Sequence, residues 1–157
     1  MKKLLFILSL ALLTNLTVKS QATTQEIGLI GSILKSEVKV FFAQNMDLAT
    51  NEAETFWEIY EAYEAELKPM SQQRIKFLQS IAENEGKMTE EELDKTIQQG
   101  IKITKKRTSL RAKYYKQMKK KLGIKVASQF YQIDGYINAH ISASLHEGLP
   151  LIIPTED

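Results

Sequence analysis

The strongest helical pattern lies in residues 88–123, which read MTEEELDKTIQQGIKITKKRTSLRAKYYKQMKKKLG. Thr89 is a suitable N-cap, and Glu92 can complete a capping box with it. From Ile97 onward, a set of side chains recurs at alternating intervals of four and three residues, which is a heptad pattern. This seam consists of Ile97, Ile101, Thr104, Thr108, Arg111, Tyr115, Met118 and Leu122. The pattern predicts a helix of about 33 residues, roughly 50 Å long, and its polar middle predicts a face that is solvated or contacts a partner.

A second helix is predicted immediately before this one. Thr50 is its expected N-cap, and residues 84–87 form its exit. Pro69 lies inside it and removes one backbone donor. Because the apolar spacing continues beyond the proline, we expect a bend near Ala65 or Glu66 and no break.

Two further helices complete the predicted fold. Residues 25–44 have one apolar face at helical spacing. A fourth helix follows Gly123 and ends near His146, and the tail is predicted to be irregular from about residue 148. The sequence therefore predicts an all-α protein, an elongated helical hairpin or bundle of about four helices.

The first 20 residues have the pattern of a secretory signal peptide. A positively charged start precedes the apolar residues 4–13, a run of roughly ten residues, whereas a membrane-spanning helix needs about twenty. Cleavage is predicted after Ser20, or alternatively after Ala22. We therefore expect residues 21–157 to form one helical domain in the periplasm, without stable membrane insertion.

Composition narrows the possible chemistry. The chain has 21 Lys and Arg residues, 19 Asp and Glu residues and no cysteine. Removal of the predicted signal peptide deletes three lysines and no acids, which leaves a net charge near −1. An exported chain without cysteine has no disulfide, thiolate metal site or cysteine nucleophile.

Acidic and basic residues are separated along the chain. Residues 47–66 contain seven acids and no bases, whereas residues 102–125 contain eleven bases and no acids. An antiparallel hairpin of the second and third helices would bring the two blocks together. The expected register places Glu54, Glu58 and Glu61 opposite Lys113, Lys116 and Lys119 or Lys120. Alternatively, an unpaired basic face attracts an acidic unfolded segment or anionic lipid headgroups, whereas nucleic acid is not expected outside the cytoplasm.

Four aromatic residues occupy two turns of the second predicted helix. They are Phe56, Trp57, Tyr60 and Tyr63, and the hairpin register places them near Tyr114, Tyr115 and Met118. Most are expected in the core, but Trp57 lies about 100° from Phe56, so one or two can form a surface anchor. The predicted partner-binding residues are Trp57, Tyr60, Arg111, Lys113, Lys116 and Lys120.

Catalytic and metal-binding patterns are weak in this sequence. His140 and His146 are six residues apart and therefore lie on different faces of a helix, unlike a two-histidine metal clamp. A weak metal site that combines His140 with Asp134 or Glu147 is the alternative. The sequence has no glycine-rich phosphate loop and no G-x-S-x-G motif. We therefore predict no cofactor, no resident metal and no enzymatic activity.

Two segments resemble the L-T-x-x-Q motifs of the Spy/CpxP family of periplasmic proteins. They read Leu48-Ala49-Thr50-Asn51-Glu52 and Met88-Thr89-Glu90-Glu91-Glu92, with alanine at the first threonine position and glutamate at both glutamine positions. Residues 46–152 are also similar to small exported proteins of Bacteroidetes-type bacteria, some of which are described as sensors of extracytoplasmic sigma factors. The resemblance implies an elongated helical hairpin, often dimeric, whose concave surface binds unfolded proteins or a signalling partner.

Two functions are therefore expected. The favoured one is an ATP-independent chaperone, or holdase, of the envelope stress response. The other is a stress-sensing regulatory protein that binds one envelope partner, and a structural assembly subunit is a more distant third.

Overall fold

The computed structural model describes residues 37–84 and 87–147, and these residues are helical apart from short connections. The helices comprise residues 37–45 (α1), Thr50–Glu83 (α2) and Glu90–Glu147 (α3). The all-α class is thereby confirmed. The count of about four helices is not confirmed, because the described residues form three helical elements, the third of which is interrupted. The predicted signal peptide, the tail and most of the first predicted helix lie outside the described residues.

The start of α2 differs by one residue from the prediction. Ala49 is the N-cap, and Thr50 is the first helical residue, so the expectation of a Thr50 cap is wrong. Alanine has no side-chain acceptor, so only half of a capping box forms: the Glu52 carboxylate accepts a hydrogen bond from the Ala49 N–H over 2.9 Å. The helix continues through Pro69, which confirms that the proline does not break it.

The start of α3 agrees with the prediction. The Glu92 N–H donates to the Thr89 hydroxyl over 3.3 Å, and the Thr89 N–H donates to the Glu92 carboxylate over 2.9 Å. These two bonds form a complete capping box. Hydrogen bonds from the Thr89 N–H and from the Thr89 hydroxyl to the Glu92 carboxylate hold the pKa of Glu92 below its ordinary value.

Gly123 interrupts α3 and reverses the chain. Its backbone has φ 85° and ψ 173°, a conformation essentially restricted to glycine. The Arg111 Nη1 atom lies 3.8 Å from the Asp134 Oδ2 atom, although a continuous helix would separate these residues by about 35 Å. The first segment of α3 (residues 90–122) and the second segment (residues 124–147) are therefore antiparallel neighbours.

The main core lies where α1, the first half of α2 and both segments of α3 meet. Tyr63 is at its centre, because its ring lies 5.3 Å from the rings of both Tyr114 and Phe130. Phe42, Phe56, Met118 and Phe130 have no exposed surface. After Gly123, Val126, Phe130 and Ile133 recur at helical spacing and are all buried.

The predicted heptad seam of the third helix is wrong at its start, where Ile97 and Ile101 are 37% and 41% exposed. Its end is confirmed, because Met118 is buried and Tyr115 and Leu122 pack against the core. Leu110 and Tyr114, which lie outside the seam, are also buried. The reason is that this segment contacts two helices on different sides, α2 and the second segment of α3. Its buried stripe therefore does not follow the single seam of a two-stranded coiled coil.

None of the described helices combines the length and the apolar character that crossing a membrane requires.

Candidate functional site

The two predicted aromatic anchors are not on an open surface. Tyr60 is 3% exposed and belongs to the core. Trp57 is half-buried, with its ring in edge-on contact with the rings of Phe56 and Tyr60 at 5.1 Å and 5.6 Å. The prediction that Tyr60 binds a partner is therefore wrong, because a partner cannot reach this buried side chain.

The three predicted lysines, Lys113, Lys116 and Lys120, lie on the exposed side of α3. Lys113 donates to both carboxylate oxygens of Glu66, over 2.7 Å and 2.9 Å, and the Tyr114 hydroxyl donates to the same carboxylate over 2.8 Å. These bonds hold the pKa of Glu66 below its ordinary value. Burial and the adjacent Glu66 raise the pKa of Tyr114 to about 12. Lys116 and Lys120 are exposed and have no ion pair with a described residue.

The acidic and basic blocks meet at two points. Lys113 pairs with Glu66, and Lys125 pairs with Asp47 over 2.5 Å. The more detailed register is wrong, because Glu61 pairs with Lys39 of α1 and not with the basic block. Glu54 and Glu58 form no ion pair with a described residue. The physical reason is that α2 turns its aromatic residues toward α3 and these carboxylates toward solvent.

An open groove lies along the first segment of α3, with Met70 of α2 at its side. Its volume is about 880 Å³. The apolar part of its lining comes from Met70, Ile101 and Leu110. Four lysines also line it, namely Lys102, Lys105, Lys106 and Lys113. Glu66 already pairs with Lys113, but no acidic residue among the described residues lines the groove itself, so the other three lysines attract carboxylates.

A second, smaller cavity lies between α2 and both segments of α3. Its volume is about 190 Å³. Arg74 of α2 and Arg107 and Arg111 of α3 line it, and Asp134 and Asn138 line it from the second segment. Arg111 is therefore the one predicted site residue that belongs to this cavity, while Lys113 lines the open groove.

Asp134 is the buried acid of this cavity. It is 6% exposed, and its Oδ1 atom accepts a hydrogen bond from the Tyr63 hydroxyl over 2.8 Å. Burial raises the pKa of Asp134 above its ordinary value, while the Tyr63 hydrogen bond, Arg107 and Arg111 offset part of that rise. Burial and the neighbouring Asp134 carboxylate raise the pKa of Tyr63. Its hydroxyl group therefore stays protonated and can donate the hydrogen bond to Asp134.

The histidines lie apart from each other. The centre of the His140 ring lies 4.3 Å from that of the Tyr136 ring, and the two planes are tilted by 54°. His146 lines the smaller cavity, called the arginine cavity below after its three arginines, and its Nδ1 atom lies 2.6 Å from the Ser142 carbonyl oxygen. No group of three histidine or acidic side chains able to hold a metal ion occurs within residues 37–84 and 87–147.

Sequence reasoning found Arg111 but missed Arg74, Arg107 and the structural role of Asp134. One local signal was present: Arg107 and Arg111 are four residues apart and therefore share a helix face. Asp134 is also the only acid between residues 95 and 146. The contribution of Arg74 could not be read locally, because it depends on how α2 lies against α3.

Comparisons with known proteins add no identification: no protein-family model, no curated protein and no solved structure matches this chain.

Proposed function

We propose that this chain is an ATP-independent, holdase-like binding protein of the periplasm that binds unfolded polypeptide segments during envelope stress. The observation that carries the proposal is the open groove, in which apolar side chains are surrounded by lysines without a lining acid. A segment that alternates apolar and acidic residues complements it in both respects. Apolar contact supplies affinity, and the lysines accelerate association and favour acidic segments.

The composition of the groove favours many clients over one. Met70 has an unbranched, adaptable side chain, and lysines have long stems that adjust to different shapes. Ile101 is 41% exposed, so its apolar surface is accessible. Surfaces of this kind rearrange around different sequences, which is typical of promiscuous binding. The resemblance to Spy/CpxP proteins supports the same function.

Light scattering of two unrelated unfolded proteins, with and without the purified protein, tests the proposal. We expect suppression of aggregation for both clients at near-stoichiometric ratios. Suppression should weaken as salt rises, because screening acts on exposed charges over about 10 Å at 0.1 M ionic strength. Aggregation that proceeds unchanged at several-fold excess of the protein would exclude the holdase function.

A charge-reversal pair locates the binding surface. Lys105→Glu combined with Lys106→Glu changes two lysines that line the groove. Lys119→Glu combined with Lys121→Glu makes the same change in net charge at exposed positions outside the groove. We expect the first variant to lose most suppression and the second to retain it. Equal losses would show that net charge, and not the groove, controls client binding.

A regulatory protein that binds one envelope partner is the second candidate. A separate aromatic surface favours it: the Phe41 and Tyr136 rings are stacked at 5.6 Å, and Tyr136 is 53% exposed. A fixed aromatic surface of this kind suits one folded protein partner better than many unfolded ones. Absence of suppression, together with capture of a single envelope protein that Tyr136→Ser abolishes, would favour this candidate. A homodimer stays a prediction.

A further inference from the structure

The arginine cavity carries more positive than negative charge. Three guanidinium groups line it, from Arg74, Arg107 and Arg111, and Asp134 is the one carboxylate among its described lining residues. Burial and the proximity of Arg107 lower the pKa of Arg74. One carboxylate cannot neutralise three guanidinium groups. An anion between them would remove the imbalance.

The hydrogen-bond donors of these arginines are largely unused. None of the three guanidinium groups donates a hydrogen bond to a described residue, and the buried Nε atom of Arg111 has no acceptor there. The 3.8 Å between Arg111 and Asp134 exceeds the usual length of about 2.7–3.2 Å for such a bond. Each guanidinium has five donors in a planar arrangement that matches carboxylate and phosphate oxygens. Buried donors without acceptors are rare in folded proteins.

Arg111 is held in position by its surroundings. Its guanidinium carbon lies 4.1 Å from the centre of the Tyr131 ring. Gly135 leaves room for it, because a Cβ atom at that position would lie 3.0 Å from the Arg111 Nη1 atom. Stacking on an aromatic ring fixes the plane of a guanidinium while leaving its edge free to donate. The donors of Arg111 are therefore oriented before any ligand binds.

The geometry points to a binding site for a small oxyanion, a carboxylate or a phosphate, held in this cavity by Arg107 and Arg111 with Arg74 on the α2 side. The volume of about 190 Å³ is below the roughly 300–1,000 Å³ of pockets for drug-sized ligands, which restricts the ligand to a small anion or the terminal group of a larger one. Asn138 lines the same space, and its side-chain Nδ2 group can donate a hydrogen bond to an anion there. This site is separate from the open groove and does not depend on the proposed holdase function.

Isothermal titration calorimetry of the purified protein with sodium phosphate and sodium succinate tests the site, with sodium chloride at equal ionic strength as reference. We expect saturable binding of one or both anions, and the two titrations distinguish a phosphate site from a carboxylate site. Arg107→Gln should weaken binding about tenfold or more, because it removes charged donors at the ligand. Absence of saturation with both anions at millimolar concentration would overturn the inference.

Two further variants separate a specific site from general charge effects. Lys106→Gln removes the same charge from the adjacent residue, which does not line the cavity, and should change the affinity less than twofold. Asn138→Asp places a second carboxylate in the cavity and should abolish binding even if Arg107→Gln fails to fold. Equal weakening by Lys106→Gln and Arg107→Gln, or unchanged binding in Asn138→Asp, would contradict the site. Client aggregation measured with Arg107→Gln should match the unmodified protein, so failure of one proposal is distinguishable from failure of the other.

Discussion

At the scale of single residues, Gly123 determines how α3 turns back on itself. A Cβ atom at this position would have no atom within 4 Å, so any penalty of substitution comes from the backbone alone. We expect Gly123→Ala to lower the free energy of unfolding by about 1–3 kcal/mol, because φ near 85° disfavours every residue with a side chain. Urea denaturation followed by circular dichroism measures this. Ser128→Ala, an exposed helical position five residues later, is the control and should change stability little.

The Tyr63 hydroxyl is the closest hydrogen-bond donor to the buried Asp134 carboxylate, at 2.8 Å. We expect Tyr63→Phe to lower the free energy of unfolding by about 1–3 kcal/mol near neutral pH, because the carboxylate then loses a hydrogen bond in a buried place. The loss should be smaller at about pH 3, where a carboxyl with a raised pKa is protonated. Denaturation by guanidinium chloride at both pH values measures the difference, and an equal loss at both would contradict an ionised Asp134 at neutral pH.

Asp134 also has a pH dependence of its own. Because its pKa is raised in the folded protein, its contribution to stability is fully present below the unfolded pKa of about 3.9 and is lost as pH rises through the folded pKa. Asp134→Asn removes this ionisation. We therefore expect the free energy of unfolding of the Asp134→Asn variant, relative to that of the unmodified protein, to increase as pH rises from about 3 to about 7. Parallel pH profiles of the two proteins would show that Asp134 titrates equally in the folded and unfolded chains.

At the scale of elements, α2 and the first segment of α3 approach closely at Gly100. A Cβ atom there would lie 2.5 Å from the Cζ atom of Phe77. Gly100→Ala gains helix propensity but displaces the ring, so we expect it to be less favourable in the unmodified protein than in a Phe77→Leu background, by about 1 kcal/mol. A double-mutant cycle by thermal or urea denaturation measures this coupling. Additive effects would mean that the ring moves aside without cost.

The start of α3 and its interruption at Gly123 could be predicted from local sequence because their causes are local, whereas the predicted Thr50 cap of α2 is wrong by one residue. Thr89 and Glu92 satisfy each other's backbone groups, and Gly123 supplies a conformation that other residues avoid. The surfaces through which the helices contact each other could not be predicted, because each helix contacts more than one neighbour. Ile97 and Ile101 fit a seam in the sequence but are exposed in the fold. The arginine cavity could not be predicted for the same reason. Its three arginines come from helices whose relative rotation depends on the packing of the whole core.

At the scale of the whole molecule, the lysines of α3 outnumber their ionic partners. Lys105, Lys116 and Lys120 are exposed and form no ion pair with a described residue. Like charges on one helix repel, and salt reduces this repulsion. We expect the triple substitution of these lysines by glutamine to raise the melting temperature by a few degrees at low salt and by much less at high salt. Differential scanning calorimetry at both ionic strengths measures it, and an unchanged or lower melting temperature at low salt would show that these lysines do not repel one another.

The reversal at Gly123 also restricts how this protein can evolve. Because a single residue joins the two segments of α3, an inserted or deleted residue beside it would rotate the second segment by about 100° relative to the first. Asp134 would then turn away from Tyr63, and the aromatic core would lose Phe130. We therefore expect descendants of this chain to vary in side chains but to keep a constant number of residues between Arg107 and Asn138, with length changes confined to other parts of the sequence.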